Sequence, residues 1–256
     1  MIYIVALFGG IIGSFLGMLI YRLPLEISLI DPKRSICPYC HYTLKWYENI
    51  PLISYLFLKG NCSNCKHSIS LLYPIVELST SLITVLLFIK LGFTIEFLIV
   101  LFIFYTLILL SFIDFKYKEV PDYILLLLII TLFIYGVYFN INNFIFMLAF
   151  VGGFNLLNFI ITYYIQNIKS KLLKDESLKD QIALGEGDMP VIASFGILLN
   201  PKMALLAIFL SAIFAIIPAI FNIMIKKDIQ TPFIPFLSLG LFVTYILGEK
   251  LYEIIS

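Results

Sequence analysis

The sequence predicts an all-α fold: a polytopic membrane protein of about eight transmembrane helices with a small cytoplasmic zinc-ribbon-like loop. Three observations predict it. The 256 residues are 61% hydrophobic and only 13% charged, with a mean hydropathy of +1.03, more apolar surface than a soluble domain of this length can hide. Long apolar runs recur along the chain. All four cysteines fall in one polar loop, as "CPYC" and "CSNC".

Residues 2–21 are the first candidate span. No Lys or Arg precedes it and Arg22 follows it, the reverse of a cleavable signal peptide, whose charges lead. It reads as a permanent first span with its N-terminus outside. Further candidate spans are 72–89, 97–113, 123–139, 144–166, 189–199, 203–225 and 233–248. All but one approach the ~20 residues that a bilayer core requires of a helix. The run 189–199 is too short alone: either it borrows the turn before it, or it re-enters without crossing. The chain divides into a first span (1–25), a cytoplasmic zinc-binding loop (26–71) and a membrane core (72–256). No internal repeat is evident.

With eight crossings, Arg22, Lys33, Arg34, Lys45, Lys59, Lys66, Lys116, Lys118, Lys169, Lys171, Lys174, Lys179, Lys226 and Lys227 lie on one side, against Lys90, Lys202 and Lys250 on the other. The positive-inside rule makes the first side cytoplasmic. With seven crossings the last two pairs of lysines exchange sides and the imbalance is unchanged, so charge does not distinguish the two. The loops at 22–71 and 167–188 are cytoplasmic either way. A net charge of +1 offers no basic surface to nucleic acid; the expected surroundings are membrane lipid.

The first loop is too small to fold on an apolar core alone. Its two C-x-x-C turns, Cys37 with Cys40 and Cys62 with Cys65, suit tetrahedral zinc, each turn aiming two thiolates at one metal. Disulfides do not suit a reducing cytoplasmic loop, and a redox dithiol needs one pair rather than two. His41 and His67 adjoin the turns, but four thiolates already close a site. Zinc there would supply the stability that the loop lacks.

Loop acids such as Asp31, Glu48 and Asp180 need no special account. Two others abut apolar spans: Asp114 in "SFIDFKYKEVPDY" and Asp188 in "GEGDMPVIA". Ionisable groups beside membrane spans are functional candidates. Two carboxylates that meet can divide the work of activating water and protonating a leaving group, the chemistry of aspartic proteases; both positions equally suit helix caps at a wet interface. Gly185 and Gly187, lacking Cβ, let the chain turn sharply and a substrate backbone approach Asp188. "GGIIGSFLG" and "VGGF" read as close-packing helix surfaces.

These motifs resemble the type IV prepilin peptidases. Asp114, Pro121 and Asp122 match the family's Asp with Pro seven residues later and Asn or Asp next. Gly185, Glu186, Gly187 and Asp188 match its G-x-G-D. "SICPYCHYTLKWYENIPLISYLFLKGNCSNCKHSISLLYPIVE" matches its N-terminal loop. The resemblance extends over the whole chain. It implies an eight-helix aspartic endopeptidase of the bacterial cytoplasmic (inner) membrane, with Asp114 and Asp188 catalytic and Gly185, Gly187 and Pro121 in support. Its substrates would be type IV prepilins and pseudopilins of type II secretion, cut after the leader on the cytoplasmic side. Members with the zinc loop look able to methylate the new N-terminus using S-adenosylmethionine. Gly60 and Glu77 match family positions beside that loop and are the cofactor-site candidates; the loop has no glycine-rich strand-to-helix turn of the Rossmann type. One position departs: Pro190 stands where family members commonly carry Lys, although proline suits the first turn of a helix.

With Asp114 ending one helix and Asp188 starting another, the helix dipoles favour ionised Asp188 as base and protonated Asp114 as proton holder. Two readings from other classes make different predictions. An ion channel or transporter with a zinc docking loop predicts acids at midspan. A membrane thiol oxidoreductase using the C-x-x-C pairs predicts cysteine pairs on the outside, or loss of activity on alkylation without loss of metal.

Overall fold

The computed structural model describes residues 1–31, 34–173, 176–224 and 232–255. Lys33, Lys174, Lys226 and Lys227, four of the cations that orient the chain, lie outside the described residues. The chain forms two compact units, Met1–Pro121 and Asp122–Ser256.

In the first unit, α1 (Ile2–Arg22) leads into the loop, which holds a 3-10 turn (Trp46–Asn49) and the short helix α2 (Ile53–Phe57); α3 (Leu72–Leu91) and α4 (Ile95–Tyr117) follow. The glycines of "GGIIGSFLG" pack α1 against α3, as expected. A Cβ at Gly9 would come 2.8 Å from the Ser81 Cα, and one at Gly13 2.7 Å from the Glu77 Cα. The Ser81 hydroxyl donates to the Ala6 carbonyl across this seam. Thr84 and Tyr105 share a hydrogen bond of 2.6 Å between α3 and α4. α4 is two-thirds buried, against about a third for α1 and α3, so it is the core of this unit. It outruns its apolar stretch by four residues because hydrogen bonding, not hydropathy, ends a helix. Lys118 stops it in a left-handed conformation, donating its N–H to the Asp114 carbonyl at 2.8 Å.

The second unit comprises α5 (Asp122–Phe139), α6 (Ile141–Tyr163), a π-helical turn (Tyr164–Lys169), α7 (Ser170–Leu173), a 3-10 turn (Glu176–Asp180), α8 (Asp188–Leu198), α9 (Pro201–Met224) and α10 (Ile234–Ile255). Val191 to Leu199 are all buried, placing α8 at the centre, in contact with α5, α6, α9 and α10. A Cβ at Gly196 would lie 2.6 Å from the Met147 Cα of α6, and Asn143 donates to the Ile197 carbonyl at 3.1 Å. "VGGF" does not pack as expected: Gly152 and Gly153 are exposed, and a Cβ on either would meet nothing within 4 Å. Glycine pairs mark a possible approach, and here no helix among the described residues takes it up.

Each of the eight apolar segments is helical over its described residues, and the chain is a multi-pass membrane protein. Among the described residues, six helices are long and apolar enough to cross: α1, α3, α4, α5, the continuous stretch Ile141–Leu173 and Pro201–Ile220. α8 and the apolar part of α10, Ile234–Gly248, are shorter.

Candidate functional site: a four-thiol cluster and two buried aspartates

The loop contains a repeat that the letters conceal. Ile36 bridges to Thr43 around the first cysteine pair, and Asn61 to Ser68 around the second. In each turn the first cysteine's N–H donates across the turn, Cys37 to the Tyr42 carbonyl at 2.9 Å and Cys62 to the His67 carbonyl at 2.8 Å. In each, the residue after the second cysteine, His41 or Lys66, adopts a left-handed φ. The four sulfurs converge within 4.8 Å of one another, with Cys37 to Cys65 at 3.8 Å and Cys40 to Cys62 at 3.9 Å. That is not disulfide geometry. It is the edge of a tetrahedron of roughly 3.8 Å around a metal with Zn–S bonds of about 2.3 Å, so the donor set fits a metal. His67 instead stacks on Tyr39, ring centroids 3.3 Å apart, tying one turn to the other.

The thiols differ in acidity. A hydrogen bond from the Tyr42 backbone is the main reason that Cys40 falls to about 6. The His67 backbone bond lowers Cys65, but burial and the three neighbouring sulfurs push it up to about 11. Thiols this crowded give up their protons most readily when a cation binds them.

Glu48, which the sequence leaves as an ordinary loop acid, is buried. Burial raises it, but hydrogen bonds from Ser63 and from the Lys45 N–H, the latter at 2.7 Å, outweigh that and hold the carboxyl below its usual range. Since Ser63 lies inside the second turn, Glu48 binds the middle of the loop to the four-thiol cluster.

Gly60 has a φ of +69°, and a Cβ there would lie 2.8 Å from the Tyr55 hydroxyl; only glycine suits the entry to the second turn. Glu77, on α3, accepts the Leu52 N–H at 2.8 Å, fixing the loop to the helices. A cavity of about 710 Å³ lies between the cysteine turns and α1 and α3, its wall including Ser14, Glu48, Tyr55, Cys62, Glu77 and Lys116.

Asp114 sits in the last turn of α4 and is 9% exposed; Asp188 is the first residue of α8 and 8% exposed. The Asp188 carboxylate accepts the Gly185 N–H, and its own N–H donates to the Gly185 carbonyl, both at 3.1 Å. Gly187 is helical, with φ −66°, and Gly185 is not left-handed either. The chain does turn here, closed by that bond from Asp188 back to Gly185, but neither glycine uses a left-handed conformation to make it; a Cβ at Gly185 would meet only the Asp188 carboxylate, at 3.5 Å, so the space beside that carboxylate is open. Pro190 occupies the first turn of α8. Pro121 separates α4 from α5, and Asp122 is exposed.

Sequence reading passed over the residues that hold this motif. Asn158 accepts the Leu184 N–H at 3.0 Å and donates to its carbonyl at 3.4 Å; Thr162 accepts the Ala183 N–H at 3.1 Å; Gln166 donates to the Gln181 carbonyl at 3.1 Å. Three polar side chains at intervals of four line one face of a helix. That spacing inside an apolar run was the available signal.

Fold and site together define a multi-pass membrane protein with a metal-fit thiol cluster in its first loop and a buried aspartate at each of two helix ends. Residues 7–91 match the Bacterial Peptidase A24 N-terminal domain, and residues 101–220 match the Type IV leader peptidase family. The chain is 33% identical to the prepilin leader peptidase/N-methyltransferase of Vibrio cholerae over 81% of each chain. It is 29% identical to that of Bacillus subtilis over 98% of this chain and 96% of the relative. To that of Legionella pneumophila it is 28% identical, over 98% and 93%. The chain belongs to the type IV prepilin leader peptidase/N-methyltransferase family. No solved structure matches it.

Proposed function

We propose that this protein removes the leader from type IV prepilins and pseudopilins at the cytoplasmic face of the bacterial inner membrane and then methylates the new N-terminus. The observation that carries the reading is the burial of both motif aspartates at helix ends, in a chain of this family. We assign residues 1–25 to the first span, 26–71 to the metal-binding loop and 72–256 to the peptidase core, with eight crossings in all.

Asp114 and Asp188 act as the dyad. Asp188, at a helix N-terminus, is favoured as the ionised base and takes a proton from water. The water oxygen bonds to the scissile carbonyl carbon. As the C–N bond breaks, Asp114 gives its proton to the departing nitrogen, so the pair ends with one proton, as it began. Gly185 holds the Asp188 carboxylate through its N–H, and its missing side chain leaves room for the substrate backbone. Pro121 ends the helix that carries Asp114.

Cys37, Cys40, Cys62 and Cys65 hold structural zinc. S-adenosylmethionine supplies an electrophilic methyl group on a sulfonium cation. The 710 Å³ cavity lies within the usual ~300–1,000 Å³ of small-molecule sites, and its wall combines the Glu48 and Glu77 carboxylates with Arg22, Lys116 and tyrosine rings, charges of both signs that suit a ligand carrying a carboxylate, an ammonium and a sulfonium. Glu77 lines that wall, and Gly60 shapes the turn beside it.

A transporter is disfavoured because both motif aspartates stand at helix ends, and a thiol oxidoreductase because the four sulfurs converge on one point. The test is to incubate purified protein with a prepilin, with and without S-adenosylmethionine, and weigh the product. A leader-sized loss reports cleavage and a methyl gain reports transfer. Asp114→Asn and Asp188→Asn each abolish cleavage while the protein still accumulates in the membrane, and full cleavage by either overturns the dyad. Asp122→Asn keeps measurable activity.

A further inference from the structure

We propose that the middle of the loop is not cytoplasmic but is a wedge in the membrane, with residues 50–58 inserted among the lipid acyl chains, Trp46 and Tyr47 at the interface, and Lys45 and Lys59 at the headgroup level on either side. This goes beyond the peptidase reading and rests only on α1 and α3 crossing the membrane.

Depth is the first argument. At 1.5 Å per residue, α1 and α3 are each about 30 Å long, the thickness of a bilayer core, so their midpoints lie near its midplane. Gly10 is the ninth of the 21 residues of α1, and Ser81 the tenth of the 20 of α3. Pro51 lies beside both: a Cβ at Gly10 would be 3.2 Å from Pro51 and 3.8 Å from the Ser81 hydroxyl. The loop leaves α1 at Arg22 and joins α3 at Leu72. Pro51 has therefore come back along α1 by about 18 Å and along α3 by about 14 Å.

Surface chemistry is the second. Trp46 is 80% exposed, Leu56 74% and Phe57 84%, with Tyr47 and Ile53 about half exposed. Such a cluster is a liability in water and ordinary against lipid. Side chains of the membrane helices are exposed likewise, Leu7, Phe8 and Ile11 of α1 and Leu78 and Leu82 of α3. Exposed lysines bound the segment at both ends, where they can snorkel to anionic headgroups, and Trp and Tyr favour that interface.

Hydrogen bonding is the third. Backbone polar groups at membrane depth need partners, and the tip has them. Pro51 has no N–H, the Leu52 N–H is taken by Glu77, and those of Ser54, Leu56 and Leu58 reach the carbonyls of Ile50, Leu52 and Ser54 at 2.9–3.1 Å. A carboxylate inside an apolar helix thereby acquires a purpose: Glu77 takes the Leu52 N–H, a donor that acyl chains could not satisfy.

Trp46 is the only tryptophan in the chain, so the whole protein reports on itself. It is reconstituted in phosphatidylcholine/phosphatidylglycerol vesicles whose acyl chains carry bromine near the headgroup or near the chain ends, and tryptophan emission is compared with that under aqueous iodide. A Trp46→Phe/Phe57→Trp variant moves the reporter to α2. Wild-type emission is lost to shallow bromine and that of the variant to deeper bromine, both with blue-shifted maxima, and iodide leaves both emitting. Iodide quenching with bromolipid without effect, in the unsubstituted protein alone, overturns the proposal. So does bromolipid quenching that appears only on dilution into excess lipid, which would mean that a second copy covers the surface. Leader cleavage is assayed on the same vesicles, so failure here is distinguishable from failure of the peptidase reading.

Discussion

A single asparagine makes both hydrogen bonds that hold Leu184 to α6, one residue before the motif that carries Asp188. Asn158→Leu strands the Leu184 N–H and carbonyl, at a cost of about 1–3 kcal/mol for a group left without a partner. Cleavage should fall several-fold with little change in membrane accumulation, while Asn158→Asp, which keeps the acceptor, should retain more activity; equal rates for all three would refute the role. Glycines show the same dependence on context. Gly13 lies against the Glu77 Cα, whereas Gly152 faces open space. Gly13→Leu should cost about 1–3 kcal/mol through overpacking and lower the melting temperature in detergent. Gly152→Leu should leave it unchanged. Nothing in the residue name distinguishes the two; the neighbouring helix does.

Among the elements, the loop depends most on something besides its own packing. Two similar turns contribute two thiols each, and Glu48 joins the second turn to the segment between them. Removing zinc with a strong chelator, or Cys62→Ser, should abolish bound metal measured by elemental analysis and speed proteolysis within residues 26–71. Methyl transfer should be lost with it. Leader cleavage should survive, because both aspartates lie outside the loop; a loop equally resistant without metal would refute a structural role. The four cysteines were legible because C-x-x-C spacing follows directly from metal geometry. Glu48 was not, since a loop carboxylate gains meaning only when Ser63 and the Lys45 N–H close on it.

At the scale of the whole chain, α8 decides the topology. Its 11 residues span about 16 Å, short for a bilayer, yet it is enclosed by four other helices. A helix surrounded by protein need not match the thickness of the lipid, because irregular backbone at its ends is sheltered from acyl chains. Eight crossings place the C-terminus outside. A C-terminal reporter fusion active only on the outer face agrees, and one active only in the cytoplasm means that α8 does not cross.

By itself the sequence determined the all-α membrane class, the positions of all eight apolar helices, the convergence of four cysteines and the two motif aspartates. Each of these follows from composition or spacing along the chain, which folding does not alter. Tertiary structure alone decided that the two cysteine turns repeat one another, that Glu77 meets Leu52, and that Asn158, Thr162 and Gln166 hold the approach to Asp188. It also decided that one glycine pair packs and another does not. The physical reason is that a residue is worth what its neighbour in space makes it: for the polar side chains of α3 and α6 that partner is 15 to 26 residues away in the chain, and for the packed glycines of α1 it is a residue of α3.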